Sequence, residues 1–219
     1  MGIVLITGAN RGIGLELSRQ LTERGDEVIA LCRKASPELE ALEVRVFEKA
    51  DVTDAAALEA VSQDLGNTKI DVLINNAGVF TYEAFQDLDF EQLRTSFEVN
   101  ALGALRVTSI MQRHLGRGSK IVLITSRMGS IGDNGSGGYY GYRMAKAALN
   151  MAGVNLAHDF RSKGIAVAIL HPGMVATEMT GHQGIPAAES AEGLVARIDA
   201  LQLQDSGSFW HANGERLPW

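Results

Sequence analysis

Three tyrosines, Tyr139, Tyr140 and Tyr142, stand close together in the stretch GGYYGYRMAKAALN. Residues four apart on a helix share a face, and Tyr142 alone among the three has a lysine, Lys146, at that spacing. A free phenol has a pKa of about 10, and a neighbouring cation lowers that pKa because it favours the phenolate. The spacing therefore indicates Tyr142 as a candidate general acid–base group, and Tyr139, which has the cation Arg143 at the same spacing, is the alternative.

A glycine-rich loop follows the first apolar run of the chain. The sequence TGANRGIG places Gly8, Gly12 and Gly14 directly before a helical pattern. Glycines allow a tight turn and close approach to a phosphate, and the N-terminus of a helix offers unpaired N–H groups. The spacing matches neither GxGxxG nor a P-loop, so the loop alone indicates either a phosphate site or a turn without a ligand.

The end of the second apolar run indicates which dinucleotide this loop would bind. NAD-preferring sites usually carry an acidic residue there, about twenty residues beyond the glycines, which holds the ribose 2′-OH. Here Cys32 occupies that place, and Arg33 and Lys34 follow it. Guanidinium groups bind phosphate through paired hydrogen bonds. We predict NADP(H), with Arg33 and Arg11 on its 2′-phosphate; the alternative is a solvated basic turn.

Short apolar runs alternate with helical patterns along the chain. The strand-like runs are 3–7, 27–32, 44–47, 71–75, 120–125, 165–170 and 207–211. The helical patterns are 12–24, 54–64, 89–115, 139–162 and 187–200. Continuous Val/Ile/Leu runs are typical of strands buried on both faces, and the alternation indicates α/β architecture. We predict one Rossmann-type domain, 1–219, with a doubly wound parallel sheet of about seven strands, helices on both faces, and the cofactor and catalytic sites together.

The composition argues against several other classes of protein. A net charge of −6 offers no basic surface for nucleic acid or an anionic membrane. The single cysteine, Cys32, fits a reducing compartment. We find no signal-peptide pattern, no apolar run of about 18–20 residues, and no GxSxG, HExxH or CxxC motif. We expect a cytoplasmic protein that binds neither nucleic acid, membrane nor metal.

Five further motifs occur in order, each at the end of a predicted strand or within a predicted helix. They are ADVTD (50–54), NNAG (75–78), FEVNALG (97–103), IVLITS (121–126) and HPGMVATEM (171–179). Each motif alone has an ordinary structural explanation. Together with TGxxxGxG and the Tyr-x-x-x-Lys pair, they make the chain resemble the short-chain dehydrogenase/reductase family over essentially its whole length.

The resemblance implies a catalytic set of Asn100, Ser126, Tyr142 and Lys146. Tyr142 would donate its proton, and Ser126 would bind the same substrate oxygen. Lys146 would hold the nicotinamide ribose, and Asn100 would hold a water linked to Lys146. The implied cofactor-binding residues also include Tyr142 and Lys146, and the others are Gly8, Asn10, Arg11, Gly12, Ile13, Gly14, Arg33, Asp51, Val52, Asn75, Ala77, Gly78, Pro172, Gly173, Val175 and Thr177.

The chain departs from the family pattern on the substrate side. A Gly-rich loop, 127–138, lengthens the interval between Ser126 and Tyr142, and its Ser130 is an alternative to Ser126. The segment after Thr177 is short, so the usual helical lid is expected to be reduced or absent. We expect an open substrate pocket lined by Phe80, Met128, Tyr139, Tyr140, His171, Met174 and Trp210.

The loop, the short lid and the LPW ending are similar to the subgroup that includes C-factor and sniffer-type carbonyl reductases. This implies NADPH-dependent reduction of a small, hydrophobic aldehyde, ketone or dione. The alternative is an NAD(P)-binding signalling or regulatory protein of the C-factor type, in which turnover is secondary. The complete catalytic set favours the enzyme, because a sensor needs no proton relay. The resemblance also implies a homodimer or homotetramer formed through the helices near 91–115 and 139–162.

Overall fold

Seven parallel strands form a single sheet in the computed structural model, which describes residues 1–219. The strands are β1 (Ile3–Thr7), β2 (Glu27–Leu31), β3 (Arg45–Phe47), β4 (Val72–Asn75), β5 (Lys120–Ile124), β6 (Ala166–His171) and β7 (Phe209–His211). Their order across the sheet is β3-β2-β1-β4-β5-β6-β7. The central strands are buried on both faces, which explains their continuous apolar sequences.

Seven α-helices flank this sheet. They are α1 (Gly12–Glu23), α2 (Pro37–Glu40), α3 (Ala55–Asp64), α4 (Phe90–Phe97), α5 (Gly103–Met111), α6 (Tyr140–Arg161) and α7 (Ala187–Ala200). Helices α1 and α7 share one core layer, while α3, α5 and α6 share the core on the opposite face. The predicted doubly wound α/β sheet is therefore confirmed; only the one-turn α2 has no counterpart in the sequence prediction. None of the helices is long and apolar enough to cross a membrane.

The predicted helix 89–115 is interrupted near its middle. A π-helical turn, Glu98–Leu102, separates α4 from α5 and contains Asn100. A π-helical turn inserts one residue into the i→i−4 ladder and often marks a functional site. The apolar periodicity continues through the interruption, so it gives no sign of this single-residue insertion.

The strand order creates one crevice at the carboxyl edge of the sheet. The chain adds β2 and β3 on one side of β1, and β4 to β7 on the other. Connections that leave β1 and β4 therefore diverge, and ligands of open α/β sheets bind at such a switch point. The glycine loop, the NNAG motif, Ser126 and the segment after His171 all follow strands that end at this edge.

Candidate active site

The loop between β1 and α1 has a conformation that requires glycine. Gly8 and Gly12 have φ values of 65° and 54°, in the left-handed region that glycine adopts without a Cβ penalty. A Cβ atom at Gly14 would lie 2.6 Å from the side-chain nitrogen of Asn76 and even closer to the carbonyl oxygen of Gly8. These three glycines therefore keep the loop tight against the strand ends.

The N-terminus of α1 is not capped by a side chain. Arg11 occupies the N-cap position, and its side chain makes no hydrogen bond to the first turn. The unpaired N–H groups and the positive end of the helix dipole consequently face the loop, which is an arrangement that binds phosphate. The glycine cradle and this uncapped helix fit the diphosphate of a dinucleotide. Ile13, also predicted to bind the cofactor, packs partly against the core beneath.

Two polar residues to which the motifs assign no role, Thr7 and Asn76, hold this loop in place. The side-chain amide of Asn76 donates hydrogen bonds to the carbonyl oxygens of Thr7 (3.0 Å) and Gly8 (3.1 Å). In return, Thr7 Oγ1 accepts from the backbone N–H groups of Asn76 (3.0 Å) and Ala77 (3.1 Å). Both residues lie inside motifs visible in the sequence, TGxxxGxG and NNAG, but their mutual contact is long-range.

Arg33 and Asp51 lie together at the carboxyl ends of β2 and β3. Both line a cavity of about 860 Å³, together with side chains of α4 and of the π-helical turn. Burial acts to raise the pKa of Asp51, but hydrogen bonds from Thr53 and the charges of Arg33 and Arg106 hold that pKa below its usual range. Arg33 is exposed, and Asn10 donates to the carbonyl oxygen of Lys34 in the same turn (3.0 Å). This end of the crevice therefore carries an accessible guanidinium.

Arg11 and Arg33 differ in their partners. The guanidinium of Arg11 forms an ion pair with Glu178, which lies just after Thr177. Both side chains of this pair are largely exposed, at 62% and 68%. The predicted contact of Arg11 with a 2′-phosphate would therefore require Arg11 to leave Glu178. Thr177 also lies close to Gly12: a Cβ atom built on Gly12 would be 3.2 Å from Thr177 Cγ2. The segment after β6 therefore packs against the glycine loop.

Several other predicted cofactor residues have mainly structural contacts. The side chain of Asn75 is buried and donates to Thr108 Oγ1 on α5 (3.2 Å). Val52 is buried beside Gly103. After β6, the carbonyl oxygen of Pro172 accepts from Ser190 Oγ (2.7 Å), and the chain turns at Gly173, where φ is 89°. The buried Val175 accepts a hydrogen bond from Thr180 Oγ1 at its carbonyl oxygen (2.5 Å).

The structure brings Tyr142, Ser126 and Lys146 together between α6 and the end of β5. The Lys146 ammonium lies 5.6 Å from the centre of the Tyr142 ring and donates to the carbonyl oxygen of Ile124 (2.9 Å). The Ser126 side chain interacts with the Tyr142 hydroxyl and accepts from the N–H of Met128 (3.1 Å). All three predicted catalytic side chains are buried.

Burial dominates the proton affinities of this group. It raises the pKa of Tyr142 to about 12, with the Ser126 hydrogen bond acting in the opposite direction. Burial also lowers the pKa of Lys146 to about 8. The expected lowering of the Tyr142 pKa by Lys146 is therefore not seen in the chain alone: desolvation of the phenolate raises this pKa, and the group that acts to lower it is Ser126 rather than Lys146.

Asn100, in the π-helical turn, holds the chain that leaves β4. Its side-chain oxygen accepts from the N–H of Val79 (3.0 Å), and its side-chain nitrogen donates to the carbonyl oxygen of Val79 (2.9 Å) and to Ser96 Oγ (3.1 Å). A Cβ atom on Gly78 would lie 2.8 Å from Asn100 Oδ1 and 3.8 Å from Lys146 Nζ. Asn100 and Lys146 thus flank the same glycine, and a water linking them stays a prediction.

The contacts separate the two candidate serines. Ser126 interacts with Tyr142, whereas Ser130 Oγ accepts from the N–H of Asp133 (3.1 Å) within the 127–138 loop. Ser130 is buried in that turn. The structure therefore places Ser126, and not Ser130, beside the phenol.

Aromatic side chains form one wall beside Tyr142. The Phe80 ring lies edge-on to Tyr142, with centroids 4.6 Å apart, and 5.6 Å from the ring of Tyr139. Tyr139 has a left-handed backbone, with φ at 51°. The Tyr140 ring is instead near Phe85 (6.1 Å). Of the predicted pocket residues, Phe80 and Tyr139 therefore belong to this wall.

The remaining predicted pocket residues lie after β5, β6 and β7. Met128 is half-buried and Met174 is exposed. His171 packs edge-on against His211, with ring centroids 4.8 Å apart, and burial, followed by the charges of His211 and Arg127, lowers its pKa to about 3. His171 is therefore neutral near pH 7. Trp210 is partly buried against the core that contains α1 and α7, and its place in the substrate pocket stays a prediction.

The position of Lys146 makes the stability of the folded chain depend on pH. Its folded pKa of about 8 lies below the ordinary 10.5, so between those values the unfolded chain binds more protons at this residue. Stability contributed by Lys146 therefore rises with pH in this window.

We expect the Tm of the native protein, relative to the Tm of Lys146→Met, to rise from about pH 7.5 to about pH 9.5. Thermal unfolding without cofactor measures it, with the exposed Lys69→Met as the control; a pH-independent difference for Lys146 would contradict the burial of a titrating ammonium.

Known proteins match this chain in sequence. The family model for short chain dehydrogenase matches residues 2–186. The 1-hydroxy-2-glutathionyl-2-methyl-3-butene dehydrogenase of Rhodococcus sp. (strain AD45) is 41% identical over 226 residues, covering 100% of both chains. The C-signal of Myxococcus xanthus is 42% identical over 166 residues, covering 74% of this chain and 100% of its own.

A solved structure matches the fold just described. The NADPH-bound carbonyl reductase from chicken fatty liver has a TM-score of 0.91 and is 28% identical, covering 100% of this chain and 99% of its own. The resemblance inferred from the motifs is confirmed by these matches. The chain belongs to the short-chain dehydrogenase/reductase family of oxidoreductases.

Proposed function

We propose that the protein is an NADPH-dependent reductase that converts the carbonyl group of a small, hydrophobic aldehyde, ketone or dione to an alcohol. The observation that carries the proposal is the burial of Tyr142, Ser126 and Lys146 together, with the Lys146 ammonium 5.6 Å from the centre of the Tyr142 ring. A catalytic set assembled in a dry site is what proton transfer to a substrate oxygen requires. Apolar side chains, Phe80 and Met128 among them, suit a hydrophobic substrate.

In this proposal the chain divides the chemistry among a few side chains. NADPH supplies the hydride when it is bound. Tyr142 donates its proton to the oxygen of the carbonyl, which develops negative charge. Ser126 donates a hydrogen bond to the same oxygen and fixes its position. Lys146 holds the nicotinamide ribose, and the hydrogen bond of Ser126 opposes the desolvation that raises the pKa of Tyr142.

The preference for NADP(H) rests on charge at the adenosine end of the crevice. Arg33 is exposed there, and Cys32 occupies the position where an acidic residue would favour NAD. The chicken carbonyl reductase with bound NADPH has the same fold, which supports this choice. Arg11 is a second candidate for the 2′-phosphate, although it must exchange its partner Glu178 for that role.

A second candidate function is NAD(P)-dependent signalling of the C-factor type. The 42% identity to the C-signal of Myxococcus xanthus favours it. The first-named relative is a dehydrogenase that acts on a glutathionyl alcohol, as its name states, and favours turnover. The four assembled residues Asn100, Ser126, Tyr142 and Lys146 also support turnover, because cofactor sensing alone does not need a proton donor. We further propose that the protein acts in the cytoplasm, in keeping with its single, buried cysteine.

We expect Tyr142→Phe to abolish nearly all NADPH-dependent carbonyl reduction while leaving NADPH affinity within a few-fold, because the change removes only the donated proton. NADPH oxidation with a panel of aldehydes, ketones and diones measures turnover, and fluorescence titration measures binding. Tyr140→Phe, which removes a neighbouring hydroxyl, is the matched control and should remain active. Substantial reduction by Tyr142→Phe would refute the role of Tyr142. No turnover by the native protein across the panel, with cofactor binding intact, would instead favour signalling.

Replacing Arg33 by aspartate should shift cofactor preference toward NAD(H). The change removes a cation that pairs with the 2′-phosphate and supplies a carboxylate that accepts from a ribose 2′-OH. The ratio of the Kd values for NADPH and NADH, measured by titration, should rise at least tenfold, or about 1.4 kcal/mol. Arg161→Asp, at the exposed end of α6, controls for net charge. An unchanged ratio in Arg33→Asp would contradict the assignment of Arg33 to the 2′-phosphate.

We propose that the protein forms a homodimer or homotetramer through α4, α5 and α6. Large apolar side chains stand exposed on this face: Phe90 (63%), Met144 (57%) and Met151 (63%). Large apolar side chains left exposed on neighbouring helices are candidates for burial between subunits. Light scattering should give two or four times the mass of the chain, and Met151→Glu should lower that mass. A monomeric native protein at micromolar concentration would contradict the assembly.

A further inference from the structure

Glu83 is a buried acidic residue that neither the motifs nor the proposed chemistry explain. It is 5% exposed, forms no ion pair, and its Oε1 atom has no hydrogen-bond partner. A buried carboxylate without a cation is costly unless other groups stabilise its charge. The groups around Glu83 must therefore supply this stabilisation.

The stabilising group is the N-terminus of α6, the helix that carries Tyr142 and Lys146. Glu83 Oε2 accepts the N–H of Gly141 (3.2 Å), and the Glu83 carbonyl oxygen accepts the N–H of Tyr139 (2.9 Å). The N-cap residue Tyr139 offers no side-chain hydrogen bond to this helix. Unpaired N–H groups and the positive helix end favour an acidic group here. Glu83 thus supplies a cap from a distant part of the chain.

Glu83 lies so close to α6 that the facing helix position, 141, has no room for a side chain. A Cβ atom at position 141 would lie 2.8 Å from Glu83 Oε1, 3.0 Å from Thr81 Oγ1 and 3.1 Å from Leu93 Cδ2. Gly141 immediately precedes Tyr142, so the approach of the carboxylate and the placement of the phenol are coupled through one peptide unit.

Glu83 also fixes one end of the segment that contacts the phenol ring. The other end, Val79, is held by both side-chain polar atoms of Asn100. Between these two attachments, the Phe80 ring packs edge-on against Tyr142 with centroids 4.6 Å apart. The segment 79–83 is therefore attached to the π-helical turn at its start and to the catalytic helix at its end.

We propose that Glu83 is a positioning residue for Tyr142: by capping α6 from the 79–83 segment, its carboxylate oxygen sets the phenol in register with the substrate carbonyl. This role rests on the proposed reductase function. It requires an acceptor oxygen at this place, and glutamine supplies one as well as glutamate does. A displacement of about 1 Å in a catalytic group can cost about 10²-fold in rate, so loss of the cap should be visible in kcat.

The test compares Glu83→Ala, Glu83→Gln and a matched cap variant, Asp89→Ala. Asp89 caps α4 by accepting the N–H groups of Glu91 (2.9 Å) and Gln92 (3.2 Å), and its hydrogen bonds all stay within α4. We expect Glu83→Ala to lower kcat about tenfold, with the Kd for NADPH within twofold of native. Glu83→Gln should keep kcat within about threefold, and Asp89→Ala should lower Tm without changing kcat.

Amide hydrogen exchange gives a readout that does not depend on turnover. Exchange in the peptide 137–146 should be faster in Glu83→Ala than in the native protein, and native-like in Glu83→Gln, because the Gly141 N–H loses its acceptor only in the first. Unchanged exchange in Glu83→Ala overturns the cap even if no carbonyl substrate is found. If the native enzyme turns over, a loss in kcat below threefold in Glu83→Ala, or equal losses in Glu83→Ala and Glu83→Gln, overturns the positioning role.

Discussion

The hydrogen bond from Lys146 Nζ to the carbonyl oxygen of Ile124 connects α6 to the centre of the sheet. It holds an ammonium group in a dry environment, and the lowered pKa of Lys146 is the consequence. Because Ile124 is the last residue of β5 and Ser126 follows two positions later, the same attachment determines how α6 approaches the serine. The backbone at Gly129 fits closely enough that a Cβ would lie 2.6 Å from the Lys146 carbonyl carbon, so this approach has little freedom.

The NNAG segment joins the two halves of the crevice. At its start, Asn76 ties β4 to the glycine loop through Thr7 and Gly8. At its end, Gly78 leads to Val79, which Asn100 holds. A cofactor that lies along the crevice would meet backbone fixed from both directions. The glycine loop and the buried group around Tyr142 therefore share one rigid connection, which suits the proposed reaction because it needs a dinucleotide and a carbonyl in fixed relation.

The sequence predicts the parts of this structure that depend on local pattern. The continuous apolar runs predict the seven strands, and the four-residue spacing predicts that Tyr142 and Lys146 lie on the same face of a helix. The features that were missed depend on contacts between distant residues. No periodicity indicates the π-helical turn at Asn100, and nothing around Glu83 shows that it meets Gly141. The prediction that the Tyr142 pKa is lowered fails in the chain alone for a related reason. The spacing reveals the nearby cation, but the burial that raises this pKa is a property of the fold.

Tyr139 adds a different consequence. It follows Gly137 and Gly138, and all three backbones are left-handed, with φ values of 66°, 67° and 51°. A third glycine would adopt this conformation freely, whereas a side chain costs roughly 1–2 kcal/mol. The turn thus stores conformational strain in order to present an aromatic ring beside Phe80. Backbone stability and the aromatic wall are consequently opposed at this position: glycine would relax the backbone, but it would remove the ring that packs beside Phe80.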